Sequence, residues 1–267
     1  MNLKVFISAD IEGTAFTTYW EETEKDKGTY ARAAEEMTRE VCAAIAGAAA
    51  AGADEILVND ANDFGINLDP FRMPENVELI RGWSGSPMGM AEGIDESFDA
   101  AFFVGWHSPA GMCNNPLSHT MSGKPARVTL NGLPCSEFLL YSWACAMRGV
   151  PSVLLTGDRR LAELSQPLHP GLVTVAVKDG LGGLTRCKSP AWVEKTIQKA
   201  AEQALRQDLS KAKIELPRRF VFDITYKETK HAVKYSFYPG FKMISDDTIR
   251  LTTSDYMNVL RAAMFVL

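Results

Sequence analysis

The stretch FISADIEGTAF, residues 6–16, places two acids at the end of an apolar run of β-forming residues. Residues 3–9 are typical of a buried strand, and Asp10 and Glu12 follow it directly, just before Gly13. Side chains at positions i and i+2 of a strand point to the same face, about 7 Å apart along the chain. We therefore expect both carboxylates to face one cleft at the end of this strand.

The pattern that follows predicts an α/β fold with a mostly parallel sheet flanked by helices. An alanine-rich helix is predicted over residues 30–51, ended by Gly52, and a second strand over residues 55–59, which together form a β–α–β unit with parallel strands. Later strands are predicted at residues 77–80, 98–105, 126–130, 152–156 and 173–177, and later helices at residues 135–147 and 189–207.

The chain is predicted to divide into a large and a small unit. Residues 1–214 form the expected metal-binding catalytic domain, and the segment ELPRR at residues 215–219 reads as a linker. The remaining elements, in the order β-α-β-β-α, predict a smaller C-terminal α/β lobe over residues 215–267.

Composition excludes several classes of function. The net charge is −5 and no dense cluster of Lys and Arg occurs, which argues against a nucleic-acid-binding protein. No apolar run approaches the ~20 residues that span a bilayer, and the N-terminal residues lack a signal-peptide pattern. The five cysteines are scattered and odd in number, which favours reduced thiols, and we expect a cytoplasmic protein that binds no membrane.

Polar residues also follow other predicted strands. In parallel sheets functional groups gather beyond the carboxyl ends of the strands. Asn62 and Asp63 lie behind the second strand, His107 follows the strand AAFFVG, and the loop after it reaches His119. Glu137 opens the helix after the turn at Asn131-Gly132. The other two histidines are expected elsewhere: His169 in a surface loop and His231 on a solvated helix face.

Two buried carboxylates raise each other's pKa unless a cation lies between them. Histidine nitrogen and carboxylate oxygen are ligands of zinc. One metal site, or two metals sharing a bridging carboxylate, is therefore predicted from Asp10, Glu12, His107 and Glu137. The alternative from spacing alone is structural: strand-end acids serve as helix caps or ion-pair partners, and a histidine after a strand serves as a hydrogen-bonding residue.

Several short motifs resemble those of the zinc-dependent D-aminopeptidases, first associated with bacterial dipeptide-transport operons. They occur in order along residues 1 to about 200, and more faintly in the C-terminal lobe. They are SADIEG (8–13), VND (58–60), AEGID (91–95), VGWHS (104–108), SHTMSG (118–123), LNGLPCSE (130–137), and the TGDR and VAVK segments near Asp158 and Lys178.

The resemblance implies a two-domain α/β metallohydrolase with a binuclear zinc centre that removes N-terminal D-residues from short peptides. By position, Asp10 resembles the carboxylate that bridges the metals, and Glu12 a ligand of one metal. His107 and Glu137 resemble ligands of the other metal, and His119 resembles a catalytic histidine that is not a ligand. The resemblance also implies a homo-oligomer, with a decameric ring as one form.

One position departs from the family motif. Where the family has a histidine ligand after Asn-Asp-Ser, this chain has Asn62. A carboxamide oxygen is a harder and weaker donor than imidazole. Three hypotheses follow: the site beside Glu12 holds zinc loosely, it prefers Mn²⁺ or Mg²⁺, or it is empty and one metal is bound. Asp63 is an alternative ligand.

These observations predict a metal-dependent aminopeptidase that uses a metal-activated water to remove the N-terminal residue, a D-amino acid, from short peptides. Two alternatives stay open. One is hydrolysis of another amide or γ-glutamyl-type bond on the same scaffold. The other is a small-molecule-binding protein with weakened catalysis, which the substitution at Asn62 favours.

Overall fold

The computed structural model describes residues 3–267, and two sheets organise these residues. Because Met1 and Asn2 fall outside this range, the predicted domain of residues 1–214 is described from residue 3. The large sheet has seven strands in the order β3-β2-β1-β4-β7-β8-β9. These strands are β1 (Leu3–Ala9), β2 (Ala53–Asp60), β3 (Val77–Ile80), β4 (Ala100–Trp106), β7 (Ser152–Asp158), β8 (Val173–Leu181) and β9 (Leu184–Cys187).

Six of the seven strands run parallel, and only β9 pairs antiparallel, with β8. The order of the strands reverses at β1, which lies between β2 and β4. In open α/β sheets this switch point creates a crevice outside the carboxyl ends of the strands. The acids that follow β1 therefore lie where such a sheet binds its ligands, and the predicted fold class is confirmed.

Helices cover both faces of the large sheet, because successive side chains of a buried strand alternate between faces. Val5 and Ile7 of β1 pack in the core beneath α1 and α4, whereas Phe6 packs in the other core, beneath α2. The helices are α1 (Tyr30–Ala50), α2 (Glu137–Met147), α3 (Arg159–Ser165), α4 (Pro190–Arg206), α5 (Thr229–Ser236) and α6 (Tyr256–Val266). Among residues 3–267 no helix is long and apolar enough to span a membrane.

The smaller sheet joins the C-terminal segment to the middle of the chain. Its order is β11-β12-β10-β5-β6. The strands are β5 (Pro125–Leu130), β6 (Leu133–Pro134), β10 (Phe220–Tyr226), β11 (Phe241–Met243) and β12 (Thr248–Thr253). The C-terminal elements follow the predicted β-α-β-β-α order, but β10 pairs with β5, so this sheet extends beyond residues 215–267. The division at residue 214 remains a prediction.

Candidate metal centre

The candidate site lies beyond the carboxyl ends of β1 and β4. Gly13 and Gly105 allow the two chain segments to meet there, and the Gly13 amide donates to the Gly105 carbonyl over 2.7 Å. A Cβ atom on Gly13 would lie 1.9 Å from the carbonyl oxygen of Trp106, and Gly105 has a φ of +77°. Both positions therefore require glycine, and together they bring Asp10 and Glu12 beside His107.

The four predicted ligands converge. His107 Nε2 lies 3.5 Å from Asp10 Oδ2 and 3.5 Å from Glu137 Oε1. Donor atoms of Asp10, Glu12 and His107 lie within 4.8 Å of one another, and so do those of His107, His119 and Glu137. His119 was predicted as a catalytic histidine rather than a ligand, and its Nε2 lies 3.4 Å from Glu137 Oε1. The role of each residue, ligand or catalyst, remains a prediction.

Backbone carbonyls fix both imidazoles in the same way. His107 Nδ1 lies 3.0 Å from the carbonyl oxygen of Ser108, and His119 Nδ1 lies 2.8 Å from that of Leu117. A neutral ring that donates through Nδ1 presents a lone pair at Nε2, which is the arrangement of a metal ligand. The two rings stack with their centroids 4.2 Å apart, so both Nε2 atoms face the same carboxylate.

Burial leaves polar atoms of this cluster without compensation. The side chains of Asp10, Glu12 and His107 are 5% exposed or less. Among residues 3–267, no group forms a hydrogen bond to Asp10 Oδ2, Glu12 Oε2 or His107 Nε2. Buried polar atoms are almost always hydrogen-bonded or bound to metal, since the loss of solvation is otherwise uncompensated. These residues therefore fit a bound cation.

The electrostatics of the cluster point in the same direction. Burial, together with the charges of Glu12 and Glu137, raises the pKa of Asp10 well above its usual range. Burial alone would lower the pKa of His107, but Glu137 and Glu12 raise it to about 9. Three carboxylates around two imidazoles carry excess negative charge, which one or two divalent cations would neutralise.

Asn62 lines the cavity that opens above this cluster, and Asp60 of the VND motif fixes its position. Asp60, at the end of β2, is buried and accepts hydrogen bonds from the amides of Asn67 and Leu68 and from Asn67 Nδ2. Asn67 Nδ2 also donates to the Asn62 carbonyl over 2.7 Å. The Asn62 side chain is 6% exposed, and no described residue accepts a hydrogen bond from its Nδ2. Asp60 therefore organises a loop that aims Asn62 at the cleft.

Lys178 supports the loop that bears Glu12. Its buried ammonium donates to the carbonyl oxygens of Glu12 and Thr17, each over 2.5 Å. Burial lowers the pKa of Lys178 to about 8. The VAVK segment thus contributes a residue that holds the Glu12 loop against the sheet.

A cavity of about 350 Å³ opens above this cluster. Besides Asp10, Glu12, Asn62, His119 and Glu137, it is lined by Trp20, Thr23, Glu24, Ala61, Asp63, Trp83, Met90 and Met121. Trp20 packs edge-on against His119, with ring centroids 5.0 Å apart. Asp63, the predicted alternative ligand, lines the cavity without joining either close donor set.

Sequence reasoning missed Trp20, Glu24 and Met121 as lining residues. Only their closeness in sequence to Asp10 and His119 could have suggested them. Met121 has a φ of +62°, unusual for a residue other than glycine, and its amide donates to Glu137 Oε1 over 2.6 Å. Such backbone conformations often occur at functional sites, so Met121 belongs to the support of Glu137.

Two tryptophans and His169, near the site, differ in exposure. Trp106 is completely buried, whereas Trp83 is 44% exposed and lines the cavity. The prediction that His169 lies in a surface loop is wrong. It is 2% exposed, and its ring nitrogens lie 3.1 Å from the Ser165 carbonyl and 3.0 Å from Ser142 Oγ. Its turn-like sequence packs beneath α2 against Phe138.

The site is a buried cluster of carboxylates and imidazoles that lies at the switch point of a parallel sheet, beneath an open cavity. These features define a metallohydrolase class of site. The family model for peptidase family M55, D-aminopeptidase, matches residues 3–265. The chain belongs to this D-aminopeptidase family, and the resemblance inferred from its motifs is confirmed.

Two relatives extend the comparison. A D-aminopeptidase of Bacillus subtilis (strain 168) is 27% identical over 264 residues, which cover 98% of this chain and 96% of the relative. The solved structure of the Zn-dependent D-aminopeptidase DppA from Bacillus subtilis, described as a self-compartmentalizing protease, superimposes with a TM-score of 0.92. That match has 27% identity and covers 99% of this chain and 96% of that one.

Proposed function

We propose that this chain is a zinc-dependent aminopeptidase that removes an N-terminal D-residue from short peptides. The observation that supports this most directly is the set of buried, uncompensated donor atoms on Asp10, Glu12 and His107. The names of the two relatives, both D-aminopeptidases, support the substrate class.

The residues of the site have different proposed roles. Asp10, Glu12, His107 and Glu137 would hold the zinc, which would supply Lewis acidity and make a water nucleophilic at neutral pH. The negative side of the cleft, at Asp10 and Glu12, binds the ammonium of the substrate's N-terminus. A proton taken up at Nε2 of His119, whose Nδ1 is held by Leu117, is then donated to the developing oxyanion or to the leaving amine.

The number of ions depends on Asn62. Asn62 and Glu12 line the same cavity, which supports a second, weaker site made of oxygen ligands that takes Mn²⁺ or Mg²⁺ more readily than a histidine-containing site would. We further propose a homo-oligomer, with a decameric ring as one form, and a cytoplasmic location. The description of the related structure as self-compartmentalizing supports the oligomer.

The test is hydrolysis of D-alanine and L-alanine p-nitroanilides by metal-free protein before and after addition of zinc. We expect activity only with metal and faster turnover of the D-substrate. Metal binding without turnover of either compound would favour the alternative of a binding protein with weakened catalysis. Turnover of γ-glutamyl p-nitroanilide alone would favour a different amide bond.

A further inference from the structure

The cleft continues outward as a groove. A second cavity, of about 660 Å³, is lined by Glu24, Lys25, Asp26, Asp63 and Phe64. Glu24 and Asp63 also line the cavity above the metal cluster, so they form the rim that the two cavities share. A peptide whose N-terminus lies at Asp10 and Glu12 and which extends across this rim reaches the second cavity.

The rim and the inner cavity are strongly acidic. Five carboxylates and no lysine or arginine line the inner cavity. Asp10, Glu12 and Glu137 are assigned to the metal, so the carboxylates that remain for a cationic side chain are those of Glu24 and Asp63 at the rim. Lys27 Nζ lies 3.7 Å from Glu24 Oε2, but both side chains are exposed and the pair is weak. No basic residue of the described chain forms an ion pair with Asp63. Lys25 also lines the outer cavity, but within residues 3–267 it forms no ion pair with Glu24 or Asp63, so the negative charge of the rim is only partly compensated.

Two features beside this acidic rim are suited to binding a ligand. The Asn62 side chain is more than nine-tenths buried, lines the inner cavity and has an unpartnered Nδ2 among the described residues, so it can donate to a carbonyl oxygen of a bound peptide. Trp83 stands beside Asp63, because its Nε1 donates to the Asp63 carbonyl over 2.6 Å. Its indole is 44% exposed at the cavity.

We infer that Asp63 and Glu24, with the indole of Trp83, select peptides that have a lysine or arginine side chain directly after the scissile bond. Opposite charge at the rim attracts the cationic side chain, and an indole face adds a cation–π contact. An acidic side chain in the same place meets two carboxylates. This inference rests on the proposed aminopeptidase function and names its substrate class.

The test uses three peptides, D-Ala-Lys-amide, D-Ala-norleucine-amide and D-Ala-Glu-amide, which differ only in side-chain charge because the C-terminus is blocked. For the zinc-loaded parent we expect kcat/KM to be about tenfold higher with lysine than with glutamate, mostly through KM. The Glu24→Gln/Asp63→Asn double variant should reduce this ratio to about twofold. Asparagine suits position 63 because it tolerates the φ of +49° found there.

Glu75→Gln is the matched control. It removes the same charge from an exposed residue that lines a different cavity, at the amino ends of β1 and β2, and it should leave the ratio unchanged. Equal kcat/KM for the lysine and glutamate peptides, or an unchanged ratio in the double variant, would overturn the inference.

Failure of the proposed function is separable from failure of this inference. If no peptide is hydrolysed, the aminopeptidase proposal fails, and binding decides the selectivity. The dissociation constants of the three peptides are then measured by quenching of tryptophan fluorescence in the metal-loaded protein. Tighter binding of the lysine peptide, lost in the double variant, supports the inference, and equal constants overturn it.

Discussion

Asp10 and Asp158 occupy similar places in the same sheet, yet their surroundings differ. Asp10 directly follows β1 and Asp158 ends β7, and each is 2% exposed or less. Asp158 accepts hydrogen bonds from the amides of Ser108 and Leu161, from Ser108 Oγ and from Asn115 Nδ2. Asp10 Oδ2 lies among other carboxylates, and no described residue donates to it.

The difference separates structural from functional acids. A carboxylate that accepts three or four hydrogen bonds is stable as an anion without a cation. A buried carboxylate beside other carboxylates is stable only if a cation is bound or if it takes up a proton. Both residues lie at the end of a strand, so position does not distinguish them. The hydrogen-bond donors around each carboxylate decide its role.

The largest effect is expected at Asp10. Mutation of a residue that only hydrogen-bonds to a metal ligand typically lowers activity roughly 10–100-fold. Asp10→Asn should lower turnover by more than this, and elemental analysis should show less zinc. The metal-free variant should unfold at the same urea concentration as the metal-free parent or higher, since one repulsive charge is gone. Asp246→Asn, an exposed acid in a turn of the smaller sheet, is the control. Parent levels of zinc and turnover in Asp10→Asn would show that Asp10 is not a ligand.

His119 tests the imidazole side of the cluster. His119→Ala should keep its zinc and its fold but lose about 10²–10³-fold in turnover, the usual result of removing one transition-state donor. Elemental analysis and hydrolysis of D-alanine p-nitroanilide provide the measurement. Because His119 Nε2 lies close to Glu137 Oε1, loss of zinc in this variant would instead make His119 a ligand. An undiminished rate would remove it from the chemistry.

Asp158 should give the opposite result to Asp10. Asp158→Ala leaves the buried Ser108 and Asn115 groups without their acceptor, and we expect the free energy of unfolding to fall by about 3 kcal/mol. Zinc content per folded chain should stay at the parent value. Urea unfolding with Glu75→Ala as the exposed control measures the change. Loss of zinc with unchanged stability would reverse the distinction between the two acids.

Glu40 is an intermediate case on α1. Its Oε1 accepts from the Ala15 amide over 2.8 Å, but no described residue donates to its buried Oε2, and burial raises its pKa from 4.5 to about 8. Between these values the folded protein binds more protons at Glu40 than the unfolded chain does. The contribution of Glu40 to stability is therefore complete below pH 4.5 and is lost as the pH rises to 8.

Glu40→Gln keeps the acceptor and does not titrate. Its stability relative to the parent should therefore increase between pH 5 and pH 8.5, by more than the roughly 1.4 kcal/mol that one pKa unit represents. Urea unfolding at the two pH values measures this, and Glu75→Gln should show no such trend. A constant difference between Glu40→Gln and the parent would mean that Glu40 is ionised throughout.

Asn62 should give the smallest change in the protein itself. Asn62→His replaces a weak oxygen donor by an imidazole at the same cavity, and zinc content should rise by up to one ion per chain. Equilibrium dialysis followed by elemental analysis measures the stoichiometry, with Asn62→Ala as the comparison. The same zinc content in all three proteins would exclude residue 62 from metal binding.

Much of the fold could be predicted from local patterns. The bounds of β1, β3 and α4 agree with their predictions to within one residue, because a short run of β-forming residues and a Ser-Pro start are local signals. Helix α2 begins at Glu137 rather than 135, since Ser136 caps it by accepting from the Leu139 amide. The pairing of β10 with β5 was not predictable, because nothing local specifies which distant strand completes a sheet.

The sequence alone determined most of the strands, though not β6 or β9, as well as the strand-end acids and histidines and, through several ordered motifs, the family. These follow from short-range periodicity and from residue chemistry that does not depend on context. Only the tertiary structure decided which acids lack donors, which aromatic residues line the cavity, and that His169 is buried. Those properties depend on atoms brought together from distant parts of the chain, so no single segment contains them.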